Sequence, residues 1–218
     1  MCSISPLRNL SRLLSIILPQ NKSLRRLRIG ITGSFASGKS EALKVFAEAG
    51  FFTCSADDIA HGLLEKGNPV SEKVLEAFGD VIRDNKGSIS REKLKSIVFN
   101  SESSMRELET IMHPAIKSEM ENILASHPLC AAENAILVKM DMRRSFDKLL
   151  LVRCPASRRE KNIQARGVDQ ALAQKIYSFQ KDERYAADCA DFVIENNASV
   201  PIFREKIKKL IVDLYGVY

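Results

Sequence analysis

The feature that most constrains this chain is a pair of glycines, Gly33 and Gly38, that bracket a loop and are followed at once by Lys39 and Ser40. They sit in the stretch LRIGITGSFASGKSE at residues 27–41. Residues 28–32 are short and mostly apolar, which predicts a buried strand, and Lys39, Ser40 and Glu41 open a helix. Strand, glycine loop and helix in that order are the context in which G-x-x-x-x-G-K-[ST] forms a phosphate-binding loop, the P-loop. The glycines let the backbone turn tightly, so that successive N–H groups point into one concavity. That concavity sits on the positive end of a helix dipole and attracts phosphate. The Lys39 ammonium can reach the β- and γ-phosphates, and the Ser40 hydroxyl can ligate Mg²⁺. The chain is therefore expected to bind a nucleoside triphosphate.

Its 218 residues suffice for one α/β domain with a real core. The net charge is +6, but Arg8, Arg12, Lys22, Arg25 and Arg26 supply five of those charges in a stretch free of acid. What remains is close to neutral, whereas a nucleic-acid-binding domain carries basic charge on its folded part. Tryptophan is absent and aromatics are few, which argues against a base-stacking platform. No nucleic-acid partner is expected. The apolar run at residues 13–18 is broken by Ser15, ends at Pro19 and is too short to span a bilayer. Residues 1–26 are Arg- and Ser-rich and resemble an organelle transit peptide, but a dispensable, poorly ordered extension is the favoured expectation. The five cysteines (Cys2, Cys54, Cys130, Cys154 and Cys189) are scattered, with no zinc-type cluster. Reduced, mostly buried thiols in a cytoplasmic enzyme are the expectation.

Beyond the loop, apolar residues at helical spacing continue to Gly50, and residues 51–54 predict a second strand. It runs into Ser55, Ala56, Asp57 and Asp58 at a helix start. An acid there can cap the helix. Ser55 or Asp58 can also do so, which leaves Asp57 free for chemistry at the carboxyl end of a strand. Helical stretches follow at 70–78, 90–99, 102–112 and 115–124, with His113-Pro114 interrupting the last two. About seventy nearly all-helical residues between two strands suggest a helical insertion on the sheet. Strands are expected at 135–138 and 149–152. Arg158, Arg159, Lys161 and Arg166 mark a basic helix: either a solvated face or a mobile source of charge for a transferring phosphate. A helix at 169–187, a strand at 191–194 and a final amphipathic helix at 203–214 complete the chain. The guanine motif Asn-Lys-x-Asp is missing, since Asn85-Lys86 runs into Gly87-Ser88. Arg153-Cys154 stands where a motor-type ATPase would carry acids after its strand.

From about Ile29 to Leu214 the chain resembles the dephospho-coenzyme A kinases. The matching stretches are ITGSFASGKS, SADDIAHGLL, Phe78-Gly79, SREKLKSIVF, His113-Pro114, FDKLLLVRCP, Gln180 and ADFVIENN. The resemblance implies an α/β fold with a P-loop NTPase-type parallel sheet flanked by helices, a helical substrate-binding insertion at about 57–128 and a lid at about 155–185. It implies transfer of the ATP γ-phosphate, with Mg²⁺, to the 3′-hydroxyl of dephospho-coenzyme A, in a protein more readily monomeric than not. ATP would be held by Gly33, Ser34, Ala36, Ser37, Gly38, Lys39, Ser40 and Glu41, with Asn196 and Asn197 near the adenine. Asp57 would be the general base, with Lys39 and Arg166 as the catalytic cations. Thr32, Asp57 and His113 would face the acceptor, and Ser40 the metal.

Four positions depart from the family pattern. Ser55 and Ala198 replace an Asp and a Gly, and Asn162 replaces a lid Arg, for which Arg159 or Lys161 could substitute. Lys139 replaces a Glu that the strand expected at 135–138 would place at its end. These departures keep open a nucleotide-binding homologue without kinase activity, and a kinase for another small molecule.

Overall fold

The computed structural model describes residues 26–165, 167, 169, 173, 175, 176 and 183–215. The tail through residue 25, Arg166, Gln180 and much of the helix expected at 169–187 lie outside the described residues. Five strands form one sheet: β1 (Leu27–Thr32), β2 (Phe52–Ser55), β3 (Leu129–Glu133), β4 (Lys148–Arg153) and β5 (Phe192–Glu195). Their order is β2-β3-β1-β4-β5, and every pairing is parallel.

A parallel sheet is buried on both faces, and successive side chains point to opposite sides. Ile29 and Ile31 of β1, Ala131 of β3 and Leu150 and Val152 of β4 pack one way. They meet Val45 and Phe46 of α1 (Lys39–Glu48) and Phe203, Ile207 and Ile211 of α8 (Val200–Tyr215). Cys130, Ala132 and Leu149 point the other way. Their core is shared with α2 (Ala56–Leu63), α3 (Pro69–Phe78), α4 (Arg91–Val98) and α5 (Glu102–Ser126). Between β4 and β5 the described residues include helices α6 (Ala156–Ala165) and α7 (Glu183–Cys189). The parallel sheet flanked by helices, and the helical block between the second and third strands, are as the sequence leads one to expect.

The chain leaves β1 for β2 on one side of the sheet and leaves β3 for β4 on the other. Such a reversal opens a crevice beyond the carboxyl ends of the central strands. The P-loop hangs from β1 at that crevice.

Two expectations are corrected. Residues 135–138 are not a strand; the third strand is Leu129–Glu133. Its sequence LCAAE lacks the β-branched and aromatic residues that advertise a strand. It is a strand because it is wedged between β1 and β2. The more apolar residues that follow are turned into a compact segment by Asn134, whose Oδ1 accepts the Ile136 N–H at 3.1 Å. Nor does His113-Pro114 interrupt a helix, for α5 runs unbroken through Pro114. Proline removes the N–H that would bond the Thr110 carbonyl. Met112, Ile116, Met120 and Leu124 are nevertheless buried along one face, and that packing holds the helix together.

Pro114 sits inside the continuous α5 at a cost. Pro114→Ala is expected to stabilise the protein by about 1–3 kcal/mol, raising Tm by several degrees. A calorimetric scan that shows no gain would place Pro114 at a true helix break.

Candidate active site

The loop between β1 and α1 is shaped by contacts that exclude side chains. Gly33 has φ 147°, and a β-carbon there would lie 2.3 Å from the Val152 carbonyl oxygen of β4. Gly38 has φ 109°, and a β-carbon there would lie 2.4 Å from Asn196 Nδ2. Both positions require glycine for conformation and for space. Ala36 also takes a left-handed turn, with φ 59°. Ser34, Ala36 and Ser37 are buried. Lys39 Nζ donates to the carbonyls of Gly33 and Ser34, each at 3.0 Å, which holds the ammonium over the loop.

The loop is braced from the far end of the chain. Asn196, just after β5, donates from Nδ2 to the Ser37 carbonyl at 2.8 Å. Arg204 of α8 reaches the carboxylates of Glu41 and Glu48 on α1. Glu41 therefore contributes to the loop through its place on α1, with its carboxylate turned to Arg204 and Lys44. Asn197 accepts at Oδ1 from Lys206 at 3.1 Å.

The sequence reading did not single out Glu133, and it is central. It ends β3, in register with Ile31 of β1 and Ser55 of β2. Its Oε1 accepts the Ser40 hydroxyl at 3.1 Å. Burial pushes its carboxyl pKa above the ordinary value; attraction to Lys39 and the hydroxyls of Ser40 and Ser55 opposes this, and nearby Asp57 adds to it. Ser55 acts on the charge at close range, yet Oε2 has no hydrogen bond of normal geometry. A strand-end acid beside the P-loop was the signal available, and the misplaced third strand hid it.

Asp57 is exposed in the first turn of α2, close enough to Glu133 for their charges to interact. Ser55 Oγ caps that helix by accepting the Asp57 N–H at 3.2 Å, so the serine that replaces an acid has a structural task. Thus Lys39, Ser40, Glu133 and Asp57 gather at the carboxyl ends of β1, β3 and β2. Buried side-chain atoms without a hydrogen-bond partner include Ser37 Oγ, Glu133 Oε2 and Asn196 Oδ1, all in the loop or beside it. Orphaned polar atoms in a native site signal a ligand or water that completes them. The Ser40 and Glu133 oxygens suit a hard divalent cation held chiefly by phosphates. Among the described residues, no group of three or more His, Cys, Asp or Glu could hold a metal on its own.

The other expected site residues have surroundings of their own. Thr32 is buried, and its hydroxyl donates to the Ala135 carbonyl at 3.2 Å. His113 is half-buried on α5; burial lowers its pKa, Glu109 opposes and Lys139 reinforces the shift. Lys139 does not end a strand. It lies in the turns beyond Glu133 and donates to Glu109 at 3.1 Å and 3.2 Å, so its charge is neutralised there. From α6, Arg159 reaches Ser34 Oγ and Asn162 reaches the Ala36 carbonyl. Cys54, Cys130, Cys154 and Cys189 are free thiols. No helix among the described residues is long and apolar enough to cross a membrane.

The raised pKa of Glu133 carries a sign. The folded state binds its proton more readily than the unfolded chain, so the cost of the buried charge is absent below the ordinary value of 4.5 and grows as pH rises through the folded value. Glu133→Gln is expected to raise Tm of the ligand-free protein at about pH 8, by a margin that vanishes near about pH 4. Parent stability equal to or above that of the variant at pH 8 would contradict this.

Residues 27–201 match the family model for dephospho-CoA kinase. A dephospho-CoA kinase of Aquifex aeolicus is 34% identical over 190 residues, 86% of this chain and 97% of that protein. One from Methylococcus capsulatus is 34% identical over 177 residues, 79% of this chain and 88% of that protein. Among solved structures, TT1252 from Thermus thermophilus superposes with a TM-score of 0.71 at 23% identity, over 87% of this chain and 98% of that one. The dephospho-CoA kinase from Campylobacter jejuni gives 0.58 at 24% identity, over 86% and 96%. A shikimate kinase from Acinetobacter baumannii gives 0.54 at 15% identity, over 88% and 96%. These likenesses establish the P-loop NTPase-type fold. With a family match that runs through all five strands and relatives a third identical over most of their length, the chain belongs to the dephospho-CoA kinase family.

Proposed function

We propose that this chain transfers the γ-phosphoryl group of ATP to the 3′-hydroxyl of dephospho-coenzyme A, giving coenzyme A and ADP. The observation that carries the reading is the gathering of Lys39, Ser40, Glu133 and Asp57 at one crevice, where the family's reaction needs a phosphate grip and a base. The loop N–H groups and Lys39 hold the β- and γ-phosphates, and Asn196 and Asn197 lie toward the adenine. Ser40 and Glu133 would hold Mg²⁺, which supplies neutralisation of phosphate charge. Asp57 accepts the proton of the acceptor hydroxyl as its oxygen bonds to phosphorus. The bond from phosphorus to the β–γ bridging oxygen breaks, and ADP leaves with that electron pair.

The helical block at about 57–128 forms the acceptor side, which His113 of α5 and Thr32 at the end of β1 would face, and the region at about 155–185 acts as a lid that includes Arg166. Closure of such elements excludes water, which would otherwise compete with the acceptor. The Lys139–Glu109 ion pair removes the reason to expect a misplaced charge at the acceptor.

ADP release coupled to dephospho-coenzyme A, with shikimate and nucleosides as control acceptors, tests the reading. Activity is expected with dephospho-coenzyme A, with a product heavier by one phosphate. Asp57→Asn should lower kcat by about 10²–10⁴-fold with ATP affinity little changed. Parent-like turnover in that variant would remove Asp57 from its role.

A further inference from the structure

Helix α6 grips the P-loop at two points. Arg159 Nη1 donates to Ser34 Oγ at 3.2 Å. Asn162 Nδ2 donates to the Ala36 carbonyl at 2.9 Å. Residues three apart share one face of a helix, so both side chains come from the same side of α6. The surface they meet is the catalytic loop itself. Ala36 is the loop's left-handed residue, and the Ser34 carbonyl already accepts the Lys39 ammonium at 3.0 Å. Two cations from two separate elements therefore converge on Ser34.

The two α6 contacts differ in kind. The Asn162 amide is neutral, and its bond to a backbone carbonyl can only dock the helix. The Arg159 guanidinium is permanently charged, planar and rich in donors, the geometry that matches phosphate oxygens. Of the neighbouring cations, Arg158 buries its Nε without a partner, Lys161 makes no hydrogen bond to the loop among the described residues, and Arg153 pairs with Glu195 at 3.3 Å; Arg159 is the one hydrogen-bonded to the loop.

We propose that Arg159 is a catalytic residue that α6 brings to the transferring γ-phosphoryl group, with Asn162 the positioning residue that docks α6 on the loop. This rests on the ATP-dependent transfer proposed above. During transfer, charge spreads over the equatorial oxygens of the phosphoryl group, and a guanidinium placed there lowers the barrier. Lys39 approaches from the loop's own helix and cannot leave it. Arg159 arrives on an element that also covers the loop, so charge neutralisation and the exclusion of water occur together. The contact with Ser34 is then the resting post of the guanidinium, one step from the phosphate that the same loop cradles.

The test compares two nucleotides that differ only at the terminal phosphate. The full-length parent, Arg159→Ala and Arg159→Lys are titrated calorimetrically with MgADP and with the magnesium complex of adenosine 5′-(β,γ-imido)triphosphate. Arg159→Ala is expected to lose about tenfold or more of the parent's preference for the triphosphate, with MgADP affinity within about threefold of the parent. Its kcat with dephospho-coenzyme A should fall by roughly 10³-fold, and Arg159→Lys should recover part of both losses. Asn162→Ala should lower kcat by less than Arg159→Ala does. An unchanged preference in Arg159→Ala, or equal weakening of both nucleotides, would overturn the proposal and leave Arg159 as loop packing. A parent that forms no coenzyme A, while Arg159→Ala still loses the preference, would refute the acceptor reading and support Arg159.

Discussion

Two backbone positions with no room for a β-carbon hold the site together. Gly33 lies against the Val152 carbonyl of β4, and Gly38 lies against the amide of Asn196 beyond β5. The loop is thus no flap hanging from β1. It is wedged by β4 and by the segment just after β5, both more than a hundred residues later in the chain, and Arg204 ties its helix to α8. Preorganised donors stabilise developing charge without reorganising at the moment of reaction. In this fold the preorganisation is supplied by tertiary contacts, and the motif residues alone would not provide it.

The same region carries stored cost. Glu133 is a buried carboxylate with one oxygen unbonded, and Ser37 and Asn196 also bury polar atoms without partners. Proteins seldom leave such groups unsatisfied, and where they do a ligand commonly completes them. A carboxylate at the end of β3, a hydroxyl at the start of α1 and an ammonium over the loop form a polar nest in an otherwise apolar sheet. Its members are far apart in sequence and meet only because β3 inserts between β1 and β2.

Much of this was legible in the chain. The strand, glycine loop and helix from Leu27 to Glu48 are legible almost to the residue, because apolar periodicity, glycine and lysine each point the same way. The position of Asp57, in the first turn of a helix that follows a strand end, is legible because a strand runs directly into an acidic helix start. The third strand was misplaced, since LCAAE owes its conformation to its neighbours and residues 135–138 merely look more strand-like. That single slip of six residues hid Glu133 and made Lys139 look anomalous. Pro114 resembles a break for the same reason: local propensity argues for one, and burial along α5 overrules it. The α6 contacts with Ser34 and Ala36 depend on how a helix docks, which no spacing in the sequence discloses.

The central claim is that the ammonium of Lys39, poised on the carbonyls of its own loop, grips the terminal phosphates of the donor during transfer. Single-turnover kinetics of Lys39→Met with ATP and dephospho-coenzyme A test it most directly. The account predicts a rate lowered by about 10³-fold or more with the fold intact, as expected for loss of a preorganised charge at the reacting group. A variant that transfers phosphate at the parent's rate would contradict it.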